Sequence, residues 1–367
     1  MIGKDEKLKR ALAWVPAKLY ELGVRLRVAA YETEYLKPKR LNAKVISIGN
    51  ITLGGSGKTP MVAYIARYLK SEDQEVAILT RGYGRDSSGM RVLNKTQANP
   101  ALQSASYREY GDEPLMLARA LPGVPVVINE DRYEGGRLAE SELGARVLVL
   151  DDAYQHLALA RDLNILLIDA TDPFGGFEMV PFGRLREPLY AVKRADAVIV
   201  TRADKPFDQA RTGAIIKYFC GDRVPVMYVY SVIARLRHLD TGEVYEAREF
   251  TGWNAVVMCG IGNPEAFSDD LTNIGVNILD ECFFADHHAY SRQDLDAVIK
   301  KARDAGADFI VTTEKDAVRL EGLGQSDLPV YAAELEIESE DEVRLKSLLL
   351  RTMIRDQGPG VRGQGGE

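Results

Sequence analysis

Residues 44–60 read KVISIGNITLGGSGKTP. Lys44–Ile51 is an apolar run of strand length, Thr52–Thr59 is rich in glycine, and a helical pattern runs from about Pro60 to Lys70. A strand, a glycine-rich turn and a helix in that order form a phosphate-binding loop, because successive backbone N–H groups and the helix N-terminus make a cradle for anionic oxygens. The loop comprises Thr52, Leu53, Gly54, Gly55, Ser56, Gly57, Lys58 and Thr59, and departs from G-x-x-x-x-G-K-[ST] in Thr52, which stands where the first glycine belongs. Lys58 can reach the β- and γ-phosphates of a nucleotide, and Thr59 can place its hydroxyl on Mg2+. The plain alternative is a glycine-rich turn with an incidental lysine.

Outward from this loop, apolar runs recur at Val76–Thr80, Val124–Asn129, Ala145–Asp151, Ile165–Asp169 and Ala197–Thr201, separated by helix-length segments. Strands alternating with helices predict a mostly parallel sheet covered on both faces. Around Val226–Val244 the Asp240-Thr241-Gly242-Glu243 turn separates two strand-like pieces, read as a β-hairpin. Ala255–Gly260, Val276–Phe284, Ala307–Thr312 and Leu328–Ala332 then alternate with helical patterns such as Arg292–Ala305. The predicted fold is α/β: a P-loop NTPase-like parallel-sheet domain at 41–225, a hairpin linker at 226–249, a smaller α/β domain at 250–355 and a disordered tail at 356–367. Residues 1–40 precede them as a basic amphipathic helix.

With 367 residues, 46% of them apolar and 28% charged, the chain can bury two cores. Three dispersed cysteines, Cys220, Cys259 and Cys282, support neither a disulfide framework nor a thiolate zinc site. A net charge of −7 argues against a nucleic-acid partner. No stretch reaches the length of a membrane span and no signal peptide opens the chain, so a cytoplasmic protein is expected. Residues 1–40 nevertheless hold ten Lys/Arg against five Asp/Glu, +5 in all, leaving −12 on the rest. There Leu8, Leu12, Val15, Leu19, Leu22, Leu26 and Ala29 recur at helical spacing, a stripe suited either to the protein's own core or to a membrane surface.

A phosphate loop needs a carboxylate at a neighbouring strand end to hold its metal, and Val147-Leu148-Val149-Leu150-Asp151-Asp152 has that pattern. Gln155 and His156 follow one turn on, close to the same phosphates. Gly111-Asp112-Glu113-Pro114 places two acids at a helix start, where capping alone is an equally good account. Phe283–Tyr290 (FFADHHAY) suits a His–Asp pair for proton transfer better than zinc, since the further ligands zinc needs are missing. Arg81, in TRGYGR, and Arg184 and Arg186, in GRLREP, suit an anionic ligand or a solvated face.

Taken together, SIGNITLGGSGKTP, TRGYGR, GDEPLMLA, DDAYQH, FGRLREP, FFADHHAY and TTEKDAVRL, in this order from about Val45 to Leu320, resemble the tetraacyldisaccharide 4'-kinases, the lipid A 4'-kinases of Gram-negative bacteria. The resemblance implies transfer of the ATP γ-phosphate to the 4'-hydroxyl of an acylated disaccharide 1-phosphate at the cytoplasmic face of the inner membrane. It places the family's catalytic dyad on Asp112, as the base, and His287, which orients it, with Lys58 on the transferred phosphate. Glu113, Asp151 and Asp152 would hold Mg2+ directly or through water, with Gln155 and His156 behind them. It further implies domain closure over the substrate, since Asp112 and His287 fall in different domains, a membrane-surface use for the first helix, and the substrate's 1-phosphate for Arg184 and Arg186. No protein partner is expected. The family has Gly where Ala153 stands, which touches local backbone geometry only.

Two other readings remain. Val198–Asp204 ends a strand much as a guanine-reading N/T-K-x-D motif does, with Asp204 as the base reader and Arg202 in place of Lys. A nucleotide-dependent switch recruited to membranes by its basic helix would bind nucleotide without transferring phosphate.

Overall fold

The computed structural model describes residues 4–93 and 106–354. The tail expected at 356–367 lies outside them, as do the side chains of Leu8, Leu12 and Val15. The first part of the chain runs α1 (Lys4–Glu32), β1 (Lys44–Asn50), α2 (Lys58–Ser71), β2 (Val76–Thr80), β3 (Arg91–Leu93), α3 (Tyr107–Tyr110), α4 (Asp112–Ala120), β4 (Val126–Ile128), α5 (Arg132–Leu143), β5 (Val147–Leu150), β6 (Leu163–Asp169), β7 (Ala197–Thr201), α6 (Gln209–Cys220) and β8 (Val226–Tyr228). The second part runs β9 (Tyr230–His238), β10 (Val244–Glu246), β11 (Asn254–Cys259), α7 (Pro264–Asn273), β12 (Asn277–Phe283), α8 (Arg292–Ala305), β13 (Phe309–Thr313), α9 (Glu314–Leu320), β14 (Val330–Glu338) and α10 (Glu342–Ile354).

The eight strands of the first sheet lie in the order β3-β4-β2-β5-β1-β6-β7-β8. All pair in parallel except β3, which runs antiparallel to β4. Helices cover both faces, so β1, β5, β6 and β7 are buried along nearly their whole length, which is why they read as unbroken apolar runs. One face packs on α2, which buries Met61, Val62, Ile65 and Leu69 against Ile46, Ile48, Val147 and Val149. Each such side chain contributes about 1.5–3 kcal/mol on burial. The sheet order reverses at β1, flanked by β5 and β6, and the phosphate loop leaves β1 in the crevice where open α/β sheets bind ligands.

The second sheet has six strands in the order β10-β9-β14-β13-β11-β12. Two boundaries differ from the sequence reading. The segment 226–249 is not a free-standing linker: β8 closes the first sheet, while β9 and β10 belong to the second, where β9 pairs with β14 from Tyr230 to His238. An unpaired edge strand would leave its backbone polar groups without partners, and Ile233 and Leu236 are drawn into the second core. The chain also crosses back at its end. Leu345 and Leu349 of α10 join the core of the first sheet, and Glu342 accepts from Tyr64 Oη (3.0 Å).

Among the described residues of the stripe on α1, Leu19, Leu22, Leu26 and Ala29 do not dock on the core. Ala17 and Val28 face the protein, whereas Leu19, Leu22 and Leu26 are 64%, 52% and 62% exposed, with Trp14 beside them at 56%. Tyr20 Oη donates to the Arg186 carbonyl (2.9 Å), which ties the helix to the wall of the phosphate loop.

Candidate active site

The loop after β1 turns into α2 through Gly57, whose φ of 73° lies in the left-handed region, and Gly54 has φ 107°. The segment 184–186 zips onto the loop. Leu53 N donates to Arg184 O (2.6 Å), Arg186 N to Ile51 O (2.8 Å), and the Arg184 guanidinium to Leu53 O (2.8 and 3.1 Å). Arg184 also meets Asp172 (3.1 Å). A Cβ on Gly54 would meet only the flexible end of the Arg184 side chain, so it is the backbone angle that favours glycine there.

Lys58 Nζ stands between Asn50 Oδ1 (3.4 Å) and Asp152 Oδ1 (3.7 Å). Arg186 Nη1 donates to both oxygens of Asp152 (2.9 and 3.0 Å) and to Gln155 Oε1 (3.4 Å), and Gln155 Nε2 donates to Asn50 O (2.8 Å). Arg186 therefore braces an acid of this cluster in the described geometry. His156 lies half-buried with Arg132, Arg161 and Arg27 as its charged surroundings; burial and those cations push its pKa down to about 4, so it is neutral. Arg81 is exposed at the end of β2.

Asp151 is almost wholly buried, and its Oδ1 has no hydrogen-bond partner. Burial, followed by the charges of Glu113 and Asp152, pushes its carboxyl up to about 7, against the pull of Lys58 and Arg132. Burial and Asp112 raise Glu113 as well. Asp152 is held low, because Lys58, Arg186 and Arg132 outweigh its burial. An orphaned buried carboxylate oxygen beside two further acids and a phosphate loop fits Mg2+. Among the described residues no three His, Cys, Asp or Glu side chains close into a ready-made metal cage, as expected for an ion that retains waters and takes the remaining ligands from phosphates.

This arrangement sets a pH dependence. A carboxyl whose folded pKa is raised contributes stability fully present below its unfolded pKa, near 4, and lost as pH rises towards 7. The nucleotide-free protein should therefore melt at a lower temperature at pH 8 than at pH 5. Glu314, also pushed up to about 7 chiefly by burial, adds the same sign. Asp151→Asn should flatten the slope without abolishing it; an unchanged slope in that variant would remove Asp151 from the account.

Asp112 opens α4 and His287 sits on the loop after β12, with φ 61°. His287 Nδ1 lies 3.2 Å from Asp112 Oδ2. The two residues, read as belonging to different domains, thus already meet. Burial favours the neutral Asp112 carboxyl, but hydrogen bonds from His287 and Arg319 and the charges of Arg319 and Lys315 outweigh it and hold it well below the usual carboxylate range.

Two residues escaped the sequence reading. Arg132, at the start of α5, is buried beside Asp151 and Asp152, and burial lowers its pKa to about 10. Arg319, buried in α9, donates through Nη2 to Asp112 Oδ2 and lies 3.1 Å from His287 Nδ1. Arg319 lay inside a quoted motif, but nothing local distinguishes it from a helix-surface arginine. Asp204 pairs with Lys205 (3.3 Å), which reaches Asp270 on α7 (3.0 Å), and Arg202 is paired to Asp169.

The family model described as Tetraacyldisaccharide-1-P 4'-kinase matches residues 9–354. A tetraacyldisaccharide 4'-kinase of Geobacter sulfurreducens is 39% identical over 354 residues, covering 95% of this chain and 94% of its own. One from Geobacter metallireducens is 40% identical over 344 residues, covering 94% and 98%. A crystal structure of LpxK from Aquifex aeolicus in complex with ATP shares the fold with a TM-score of 0.75 at 33% identity, covering 94% of this chain and 99% of that one.

Proposed function

The chain belongs to the tetraacyldisaccharide 4'-kinase family, and we propose that Asp112 is the base with which it moves the γ-phosphate of ATP onto the 4'-hydroxyl of an acylated disaccharide 1-phosphate. The chain is a lipid A biosynthesis kinase that uses ATP with Mg2+. The observation that carries the residue assignment is the 3.2 Å contact of Asp112 with His287.

Asp112 is ionised at neutral pH and accepts the proton of the sugar hydroxyl as the new P–O bond forms; His287 holds the carboxylate in place. A weakly basic carboxylate suffices, because in a loose phosphoryl transfer the nucleophile needs positioning more than early deprotonation. Lys58 neutralises charge on the β- and γ-phosphates, and the backbone N–H groups of Gly54–Thr59 cradle them. Thr59, Asp151, Asp152 and Glu113 would hold Mg2+, which when bound screens the phosphate charge. Arg81 and Arg184, both exposed, would take the lipid's 1-phosphate, while Arg186 and Gln155 brace Asp152.

The direct test is transfer of labelled γ-phosphate from Mg-ATP to tetraacyldisaccharide 1-phosphate in detergent micelles. Product is expected; no transfer combined with preferential GTP binding would overturn the reading and turn attention to Asp204.

We also propose that the protein works on the cytoplasmic face of the inner membrane. No helix among the described residues is long and apolar enough to cross one, and the support for surface attachment is the exposed Trp14, Leu19, Leu22 and Leu26 flanked by Lys18, Arg25 and Arg27. Replacing Leu19, Leu22 and Leu26 together by Glu should cut binding to anionic vesicles at least tenfold while leaving ATP binding intact, since each buried leucine contributes about 1.5–3 kcal/mol. Equal vesicle binding by the triple variant would sink the proposal.

A further inference from the structure

Helix α1 has two faces. With about 3.6 residues per turn, Leu19, Leu22 and Leu26 fall on one side and are exposed, while Ala17 and Val28 fall on the other and are buried. Three side-chain contacts from this helix land on one short segment, 186–193. Tyr20 Oη donates to Arg186 O (2.9 Å), the Arg25 guanidinium lies over the Tyr190 ring (5.9 Å to its centroid), and Glu32 pairs with Lys193 Nζ (2.8 Å). Arg25 is held in place by Glu21, which also accepts from Lys18 Nζ (2.8 Å).

The same segment walls the acid cluster beside the phosphate loop. Arg186 N donates to Ile51 O (2.8 Å), so the Arg186 backbone is pinned at both ends, its N–H by the chain that leads into the loop and its C=O by Tyr20. From that fixed backbone Nη1 donates to both oxygens of Asp152 (2.9 and 3.0 Å). The next residue, Glu187, is buried and accepts from Arg194 Nη2 and from Gln155 Nε2 (3.4 Å). An arginine that grips a carboxylate gives up much rotamer freedom. A backbone held on both sides confines the point from which it reaches, and with it the direction of the carboxylate it holds.

We infer that Tyr20 is a positioning residue for the reaction: its hydroxyl fixes the Arg186 backbone and, through the Arg186 guanidinium, orients Asp152, so that the helix bearing the apolar stripe also sets the geometry of the acid cluster. This rests on the readings above of Asp152 as a holder of Mg2+ and of α1 as the surface helix. The rival account is that the Tyr20 hydroxyl only seats α1 on the body of the protein.

Tyr20→Phe, made in the full chain, removes the hydroxyl and keeps the ring. The probe of the acid cluster is Mn2+ in place of Mg2+, its binding followed by electron paramagnetic resonance beside a non-hydrolysable ATP analogue. Mn2+ affinity is expected to fall about threefold to tenfold, the worth of one hydrogen bond. In the micellar transfer assay kcat should fall by a similar factor, with KM for the lipid moved less than about twofold. Binding to anionic vesicles should stay within about twofold of wild type. The triple replacement of Leu19, Leu22 and Leu26 by Glu should do the converse, losing vesicle binding while keeping Mn2+ affinity. In an Arg186→Met background, Tyr20→Phe should change neither Mn2+ affinity nor kcat further, because its influence passes through Arg186. Unchanged Mn2+ affinity in Tyr20→Phe, an equal loss with and without Arg186, or a fall in transfer that tracks a fall in vesicle binding would overturn the inference and leave Tyr20 as a seat for the helix. Unchanged Mn2+ affinity in Asp152→Asn would instead strike down the metal role of Asp152, and the inference with it.

Discussion

Asp112→Ala is expected to lower kcat for phosphate transfer by about 10^2–10^4-fold, the usual contribution of a positioned general base, with KM for ATP nearly unchanged. The asymmetry follows from its contacts, which are with His287 and Arg319. The fold should survive, because Arg319 retains Asp316, and Asp316 retains its three other donors. Steady-state kinetics with thermal midpoints checks this. Asp112→Asn is the sharper control, since it keeps the shape and can still accept from the Glu113 N–H but cannot take a proton. An Asn variant with near wild-type kcat would show that orientation alone, and not proton acceptance, is what Asp112 supplies.

Lys58→Ala should lower kcat/KM by about 10^2–10^3-fold, in line with removal of a single preorganised charge or donor from a transition state. Unlike the previous variant, it should weaken ATP binding as well. Lys58 pulls down the pKa of Asp151, Asp152 and Glu113 together. Its loss makes Asp151 harder to ionise and so weakens the site for Mg2+. Activity of Lys58→Ala should therefore rise more steeply between pH 6.5 and 8.5 than that of the wild type. Parallel pH profiles for the two proteins would show that Lys58 acts on the nucleotide alone. Lys58→Arg keeps the charge but not the compact ammonium, and should recover only part of the loss.

Much of the first sheet was legible because its signals are local. β2 and β7 fall where their apolar runs begin and end, and α2 follows the glycine-rich turn at once. β3 was missed because three residues, of which only Leu93 is buried, carry no periodicity of their own; they are strand only because β4 stands beside them. The linker reading failed for a related reason: the turn at Asp240–Glu243 does join two strands, but which sheet receives them depends on β14, some hundred residues on.

For the site, the sequence by itself placed the glycine-rich loop between a strand and a helix and the acids at the end of β5, while the family resemblance supplied the pairing of Asp112 with His287, which the structure brings to 3.2 Å. These are chemical groups held by contiguous segments, or carried by a pattern that survives without coordinates. Tertiary structure alone decided that Arg186 braces Asp152, that His156 sits neutral among arginines, and that Arg132 and Arg319 stand inside the acid clusters. An arginine's role is set by the carboxylate it meets. Asp112 and Arg319 are 207 residues apart in the chain, so their contact exists only once two sheets have folded and α9 has packed against α4. Local sequence specifies a residue's chemistry and its element; burial and the charge facing it, which set pKa and task, come from the packing of distant elements.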